Sequence, residues 1–108
     1  MNHRQERVSK LIREHLNELL IREIEFVGFL ATITDVEISS DQEHAKVRMS
    51  ALPSEKGKEM IKVLTKRAPY LQSLLHKKLN IRPMPTIRFE LDKGPENAAR
   101  VEKLLMNH

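Results

Sequence analysis

Along residues 4–24, Val8, Leu11, Ile12, Leu16, Leu19, Leu20 and Ile24 recur at spacings of three and four. That period draws one apolar stripe along a helix and leaves Arg7, Lys10, Arg13, Glu14, Asn17 and Glu18 toward water. His15 falls on the stripe, where a partly buried edge residue with one hydrogen bond is expected in preference to a catalytic role. Gly28 opens the next section, and residues 31–38 are rich in β-branched side chains. Their alternation is imperfect: Thr32, Thr34, Val36 and Ile38 fall on one face, while Ile33 shares the other with Asp35 and Glu37. Ser39-Ser40-Asp41 supplies turn chemistry. Ala45, Val47, Met49 and Ala51 then alternate with His44, Lys46, Arg48 and Ser50, which predicts a half-buried strand and an antiparallel hairpin.

After Pro53, Ser54 is placed to cap a helix whose inner face is Met60, Ile61, Val63, Leu64 and Ala68. Pro69 lacks an N–H and biases Ala68 away from helical dihedrals, so a break is expected at Ala68-Pro69, with a second helix starting there. This second helix buries Leu71, Leu74, Leu75 and Leu79. Ile87, Phe89 and Leu91 alternate with Arg88, Glu90 and Asp92 as a third strand, and Gly94-Pro95 leads to a final helix around Ala98, Val101, Leu104 and Leu105. The order α-β-β-α-(kink)-α-β-α predicts an α+β layer, a three-stranded sheet with helices packed on one face. Residues 1–108 form a single domain on this reading, with no repeat or long linker.

Charge changes the picture. From Lys56 to Arg82 there are eight Lys and Arg against one acid, Glu59, a local balance of +7 in a chain whose net charge is +4, leaving −3 elsewhere. So concentrated a basic stretch is the footprint of a surface that meets a polyanion. Catalysis has little to stand on. The chain has no cysteine, so disulfides, thiolate metal sites and cysteine nucleophiles are excluded. His3, His15, His44, His76 and His108 show no metal-ligand spacing, and the three glycines form no phosphate-cradling loop. Asp35 and Glu37 share a strand face, where a solvated pair is expected in preference to a metal or acid/base couple. The N-terminus is charged from Arg4 onward and no segment has the length of a membrane span, so a cytoplasmic location without membrane contact is expected.

The element order, together with specific residues, resembles the ribosome-binding factor A family. Those residues are Arg7-Val8 with Ile12-Arg13, Thr32-Ile33-Thr34-Asp35-Val36-Glu37 followed by Ser39 and Asp41, and Ala45-Lys46-Val47. They continue with Ser73-Leu74-Leu75 and Lys77, Arg82 with Pro85, and Phe89 ahead of Ala99-Arg100-Val101. The resemblance covers nearly the whole chain and implies a type II KH-like fold in which an Ala-x-Gly helix kink replaces the phosphate-gripping loop. Here the kink reads Arg67-Ala68-Pro69, with Pro in place of Gly. Gln72 and Asn80 stand at two positions that are commonly basic in the family, with Lys78 and Arg88 nearby, and the loop before Gly28 is shorter.

The candidate RNA-binding residues are Lys62, Lys66, Arg67, Gln72, His76, Lys77, Lys78 and Arg82, with Arg7, Lys10 and Arg13 as a second strip. Tyr70 is expected to pack in the core with its hydroxyl at the rim, base stacking being the alternative. Pro69 keeps phosphate from the backbone, which favours a surface that reads the shape of folded RNA. The resemblance implies a non-catalytic cytoplasmic factor that binds precursor small-subunit rRNA and assists its late folding and processing, with the small ribosomal subunit as partner. It implies no cofactor, metal or small-molecule substrate. A monomer is expected from the absence of a heptad or a large unpaired apolar face. A basic module docking on an acidic protein is the alternative.

Overall fold

The computed structural model describes residues 3–94. A first helix, α1 (His3–Glu23), is followed by the strands β1 (Leu30–Ile38) and β2 (His44–Leu52). A 3₁₀ turn at Ser54–Lys56 leads into α2 (Gly57–Lys78), and β3 (Thr86–Leu91) follows. The final helix expected around Ala98, Val101, Leu104 and Leu105 lies outside the described residues. The sheet order is β1-β2-β3; β1 and β2 pair antiparallel, β2 and β3 parallel. The α+β layer is therefore as expected, and α2 is the crossover that a parallel pair requires.

One face of the sheet carries the core. Ile33, Val36 and Ile38 of β1, Ala45, Val47 and Met49 of β2, and Ile87 and Phe89 of β3 are all buried. They meet Val8, Ile12, Leu16, Leu19 and Leu20 from α1 and Met60, Leu64, Leu71 and Leu75 from α2 in one cluster. A β-bulge explains the irregular alternation of β1. Ile33 pairs with Met49 and Asp35 with Arg48, so Thr34 is the extra residue, and the side chains before and after it change parity. Ile33 thereby turns to the same core as Val36 and Ile38.

The expected break at Ala68-Pro69 does not divide the helix: Pro69 lies inside α2. The reason is the phase of the apolar positions. Met60, Leu64, Ala68, Leu71 and Leu75 follow each other at three and four residues straight through the proline, and burying that stripe requires one continuous helix. Pro69 is exposed, as is Thr65, whose carbonyl loses the N–H of residue 69 and can turn to water. Nor does Ser54 cap, since neither the 3₁₀ turn nor α2 has a side-chain cap bond at its start. Gly57 begins α2 because β3 is close; a Cβ there would stand 2.9 Å from Leu91 Cδ1.

Candidate nucleic-acid interface

Lys62, Lys66, Ser73 and Lys77 follow at intervals of four, seven and four, which keeps them on one side of α2, opposite the buried stripe. All are exposed, and the three lysines have no hydrogen-bond or ion-pair partner among the described residues. His76 is exposed beside Lys77. The cations that α2 leaves free therefore stand together on one convex flank.

Three other residues expected there are engaged elsewhere. Gln72 is turned to the sheet: its Nε2 donates to the Pro85 carbonyl at 2.9 Å, and its Oε1 accepts from the Ile87 N–H at 2.7 Å. Half-buried at position 72, it serves the free edge of β3. Lys78 Nζ lies 3.8 Å from Glu18 Oε2 and ties α2 to α1. The guanidinium of Arg67 stacks 5.2 Å from the Tyr70 ring centroid and donates to the Glu23 carbonyl at 3.4 Å. Tyr70 is not a core residue. It is 46% exposed, because Leu71 and Leu75 take the inward positions, and its hydroxyl donates to Glu23 Oε1 at 3.0 Å. This bond to a carboxylate raises the phenol above its ordinary range.

The second strip is split. Arg13 turns toward β1 and donates to the Ile33 carbonyl at 3.3 Å, and it lines a groove with Lys10, Asn17 and Thr32. Arg7 lies on the other flank of α1, in a groove of about 450 Å³ shared with Arg4, Asn80, Ile81 and Arg82. Arg4, unremarkable in sequence, holds that groove together: Nε donates to Gln42 Oε1 at 2.5 Å and Nη2 to the Arg82 carbonyl at 2.6 Å. Arg82 is thus drawn to the first turns of α1 and away from the α2 flank.

On the outer sheet face Lys46 and Arg48 are paired, while Arg88 is exposed without a partner among the described residues. Arg48 reaches Asp35 at 2.7 Å and Glu37 at 3.3 Å, and Lys46 lies 3.7 Å from Glu90. The Glu37 contact first, then Asp35, holds the Arg48 guanidinium more firmly protonated than usual. Asp41, Glu43 and His44 meet at the exposed hairpin turn. There the Asp41 carboxylate accepts from the Ser39 hydroxyl and the Glu43 N–H, which lower its pKa and make it a turn-forming group. His15 Nδ1 is buried without a hydrogen bond and stands 4.0 Å from Glu18, so the single bond expected of it is not made at this atom.

Gln5 and Ser9 belong to no motif of the sequence. With Arg13 they recur every four residues beside the apolar stripe, and all three donate to carbonyls of the β1 region. A polar i, i+4, i+8 row on the border of an amphipathic helix is the signal that would have found them.

Among the described residues no helix is long and apolar enough to cross a membrane. The sequence profile of the family described as ribosome-binding factor A matches residues 4–105. The ribosome-binding factor A of Coprothermobacter proteolyticus is 35% identical over 104 residues, covering 94% of this chain and 75% of that protein. The solution NMR structure of a Thermotoga maritima protein assigned to the same family superposes with a TM-score of 0.72 at 30% identity, over 87% of this chain and 93% of that one. A Thermus thermophilus ribosome binding factor A shares the fold at a TM-score of 0.63 and 19% identity, over 86% of this chain and 96% of its own. A match that spans both helices and all three strands leaves one assignment: this chain belongs to the ribosome-binding factor A family.

Proposed function

We propose that this protein is a non-catalytic cytoplasmic factor that binds precursor small-subunit rRNA and assists its late folding and processing. The observation that carries the reading is the flank of α2 on which Lys62, Lys66 and Lys77 stand exposed and unpaired. Convex, rigid and basic, it suits the phosphate backbone of folded RNA, where counterion release supplies the affinity. The family relation adds the partner: a homology model of the Thermus thermophilus relative has been fitted into a map of its complex with the 30S subunit. Binding acts by population shift, since an rRNA arrangement that meets the flank is stabilised over one that does not. The whole chain is one domain in this reading.

Co-sedimentation with purified free small subunits at several salt concentrations tests it. Reversing Lys66→Glu and Lys77→Glu together should weaken binding by at least about tenfold and reduce the slope of log affinity against log salt by about 2. Unchanged affinity and slope would remove the flank from the interface. Binding that survives ribonuclease digestion would instead favour an acidic protein as the partner.

A further inference from the structure

The groove between the first turns of α1 and residues 80–82 has a chemistry the α2 flank lacks. Its volume is about 450 Å³, and its lining holds three arginines and no acid. Arg4 is committed to Gln42 and the Arg82 carbonyl, and so fixes the walls. The guanidinium groups of Arg7 and Arg82 have no partner among the described residues. Two unneutralised cations that share one concavity repel each other, and an anion between them would relieve that repulsion; a phosphodiester offers oxygens that a guanidinium binds in bidentate fashion. The floor is apolar, made by buried Val8 with half-buried Leu11 and Ile81. At the rim, Asn80 has an exposed carboxamide with both donor and acceptor.

We infer that this groove seats one unstacked nucleotide of a single RNA strand. Arg7 and Arg82 take its phosphate, the Val8–Leu11–Ile81 floor takes a base or ribose face, and Asn80 reads a base edge. A concavity of this size lies within the range of small-ligand sites and admits one nucleotide but not a base-paired helix. The inference rests on the reading of the protein as an rRNA binder and refines it. The α2 flank holds folded RNA by its backbone, while the groove, just past the end of α2, captures a strand that has left the helix.

The full chain is titrated by fluorescence anisotropy with labelled hexauridylate, with the same strand made abasic, and with a blunt RNA duplex. Substituting Arg7→Gln and Arg82→Gln together should weaken hexauridylate binding about tenfold and duplex binding less than about twofold. Lys66→Gln with Lys77→Gln should weaken duplex binding more than hexauridylate binding. The abasic strand should bind the wild type several-fold more weakly than hexauridylate. In the wild type, hexauridylate should shift the NMR signals of the Asn80 side-chain amide and the Ile81 methyl groups, a readout that does not depend on any variant folding. Absence of those shifts, equal loss on strand and duplex, or equal binding of the abasic strand would overturn the groove. If that occurs while Lys66→Glu with Lys77→Glu still weakens subunit binding, the groove alone fails. If that variant also binds subunits normally, the underlying reading fails with it.

Discussion

The Ser9 hydroxyl donates to the Val36 carbonyl at 2.6 Å, at the centre of a seam that joins α1 to the outer edge of β1. Gln5 reaches the Ser39 carbonyl at 3.0 Å on one side and Arg13 the Ile33 carbonyl at 3.3 Å on the other. From residue 5 to 13 a helix advances about 12 Å, whereas a strand from 33 to 39 covers about 20 Å. Helix and strand positions therefore diverge from the middle outward. The side chains follow that divergence, with short Ser at the centre and longer Gln and Arg at the ends. The seam answers the hazard of an unpaired strand edge, which would otherwise offer its carbonyls to another chain. Ser9→Ala should lower the unfolding free energy in urea by about 1 kcal/mol, the net worth of one such bond. A variant as stable as the wild type would show that water replaces the hydroxyl at no loss.

At the opposite edge of the sheet, Gln72 makes the side-chain hydrogen bonds to β3 found among the described residues. Gln72 satisfies the Pro85 carbonyl and the Ile87 N–H simultaneously, so Gln72→Ala strips a donor and an acceptor from β3. The expected loss is about 1–2 kcal/mol, with faster hydrogen exchange at the Ile87 amide. The salt dependence of small-subunit binding should stay at the wild-type slope, which separates this role from a phosphate contact. A reduced slope in Gln72→Ala would return the residue to the interface.

Pro69 is the exposed exception in an otherwise continuous helix. Restoring an N–H with Pro69→Ala returns the bond to the Thr65 carbonyl and removes the ring from the preceding turn. The intrinsic difference of about 3 kcal/mol is partly offset because proline also restricts the unfolded chain. A net stabilisation of about 2 kcal/mol is expected, with unchanged far-ultraviolet dichroism, since the leucine stripe already holds one helix. A clear gain in helical signal would mean that the native helix is interrupted at this point.

The elements that the residue pattern foretold are those in which burial and period agree: the stripe of α1, the alternation of β2, and β3 between its prolines. Two elements misled for opposite reasons. At Pro69 a local rule predicted a stop, and the phase of Leu64, Leu71 and Leu75 overrode it because the buried face outweighs one lost bond. At Thr34 the irregular alternation was real and marked a bulge, which no local rule names from one strand alone. The candidate surface divided along the same line. Lys62, Lys66 and Lys77 share a side by helical period, which is visible in sequence. Which cations are spent on carbonyls and carboxylates is not, because the partners of Arg13, Arg67 and Lys78 come from distant segments. The groove of Arg7 and Arg82 forms by the meeting of segments 75 residues apart, and only the fold could bring them together.

The bulge also creates a pH-sensitive contact. Thr34 Oγ1 donates to Asp92 Oδ2 at 2.6 Å, and the Gly94 N–H reaches Oδ1 of the same carboxylate at 2.9 Å. The Thr34 bond first, then the Gly94 bond, holds the Asp92 carboxyl below its ordinary value of 3.8. Both bonds favour the ionised form, so the folded state binds this proton less readily than the unfolded chain. The stabilisation is therefore complete above the ordinary carboxylate range and is lost as pH falls through the lowered folded value. Thr34→Val keeps the β-branched shape of the bulge and deletes the donor. At neutral pH the variant should be less stable than the wild type, and the gap between their urea midpoints should close as pH falls below about 4. A gap that persists in acid would place the contribution of Thr34 in the other neighbour of its hydroxyl, the Arg48 carbonyl at 3.2 Å, which does not titrate.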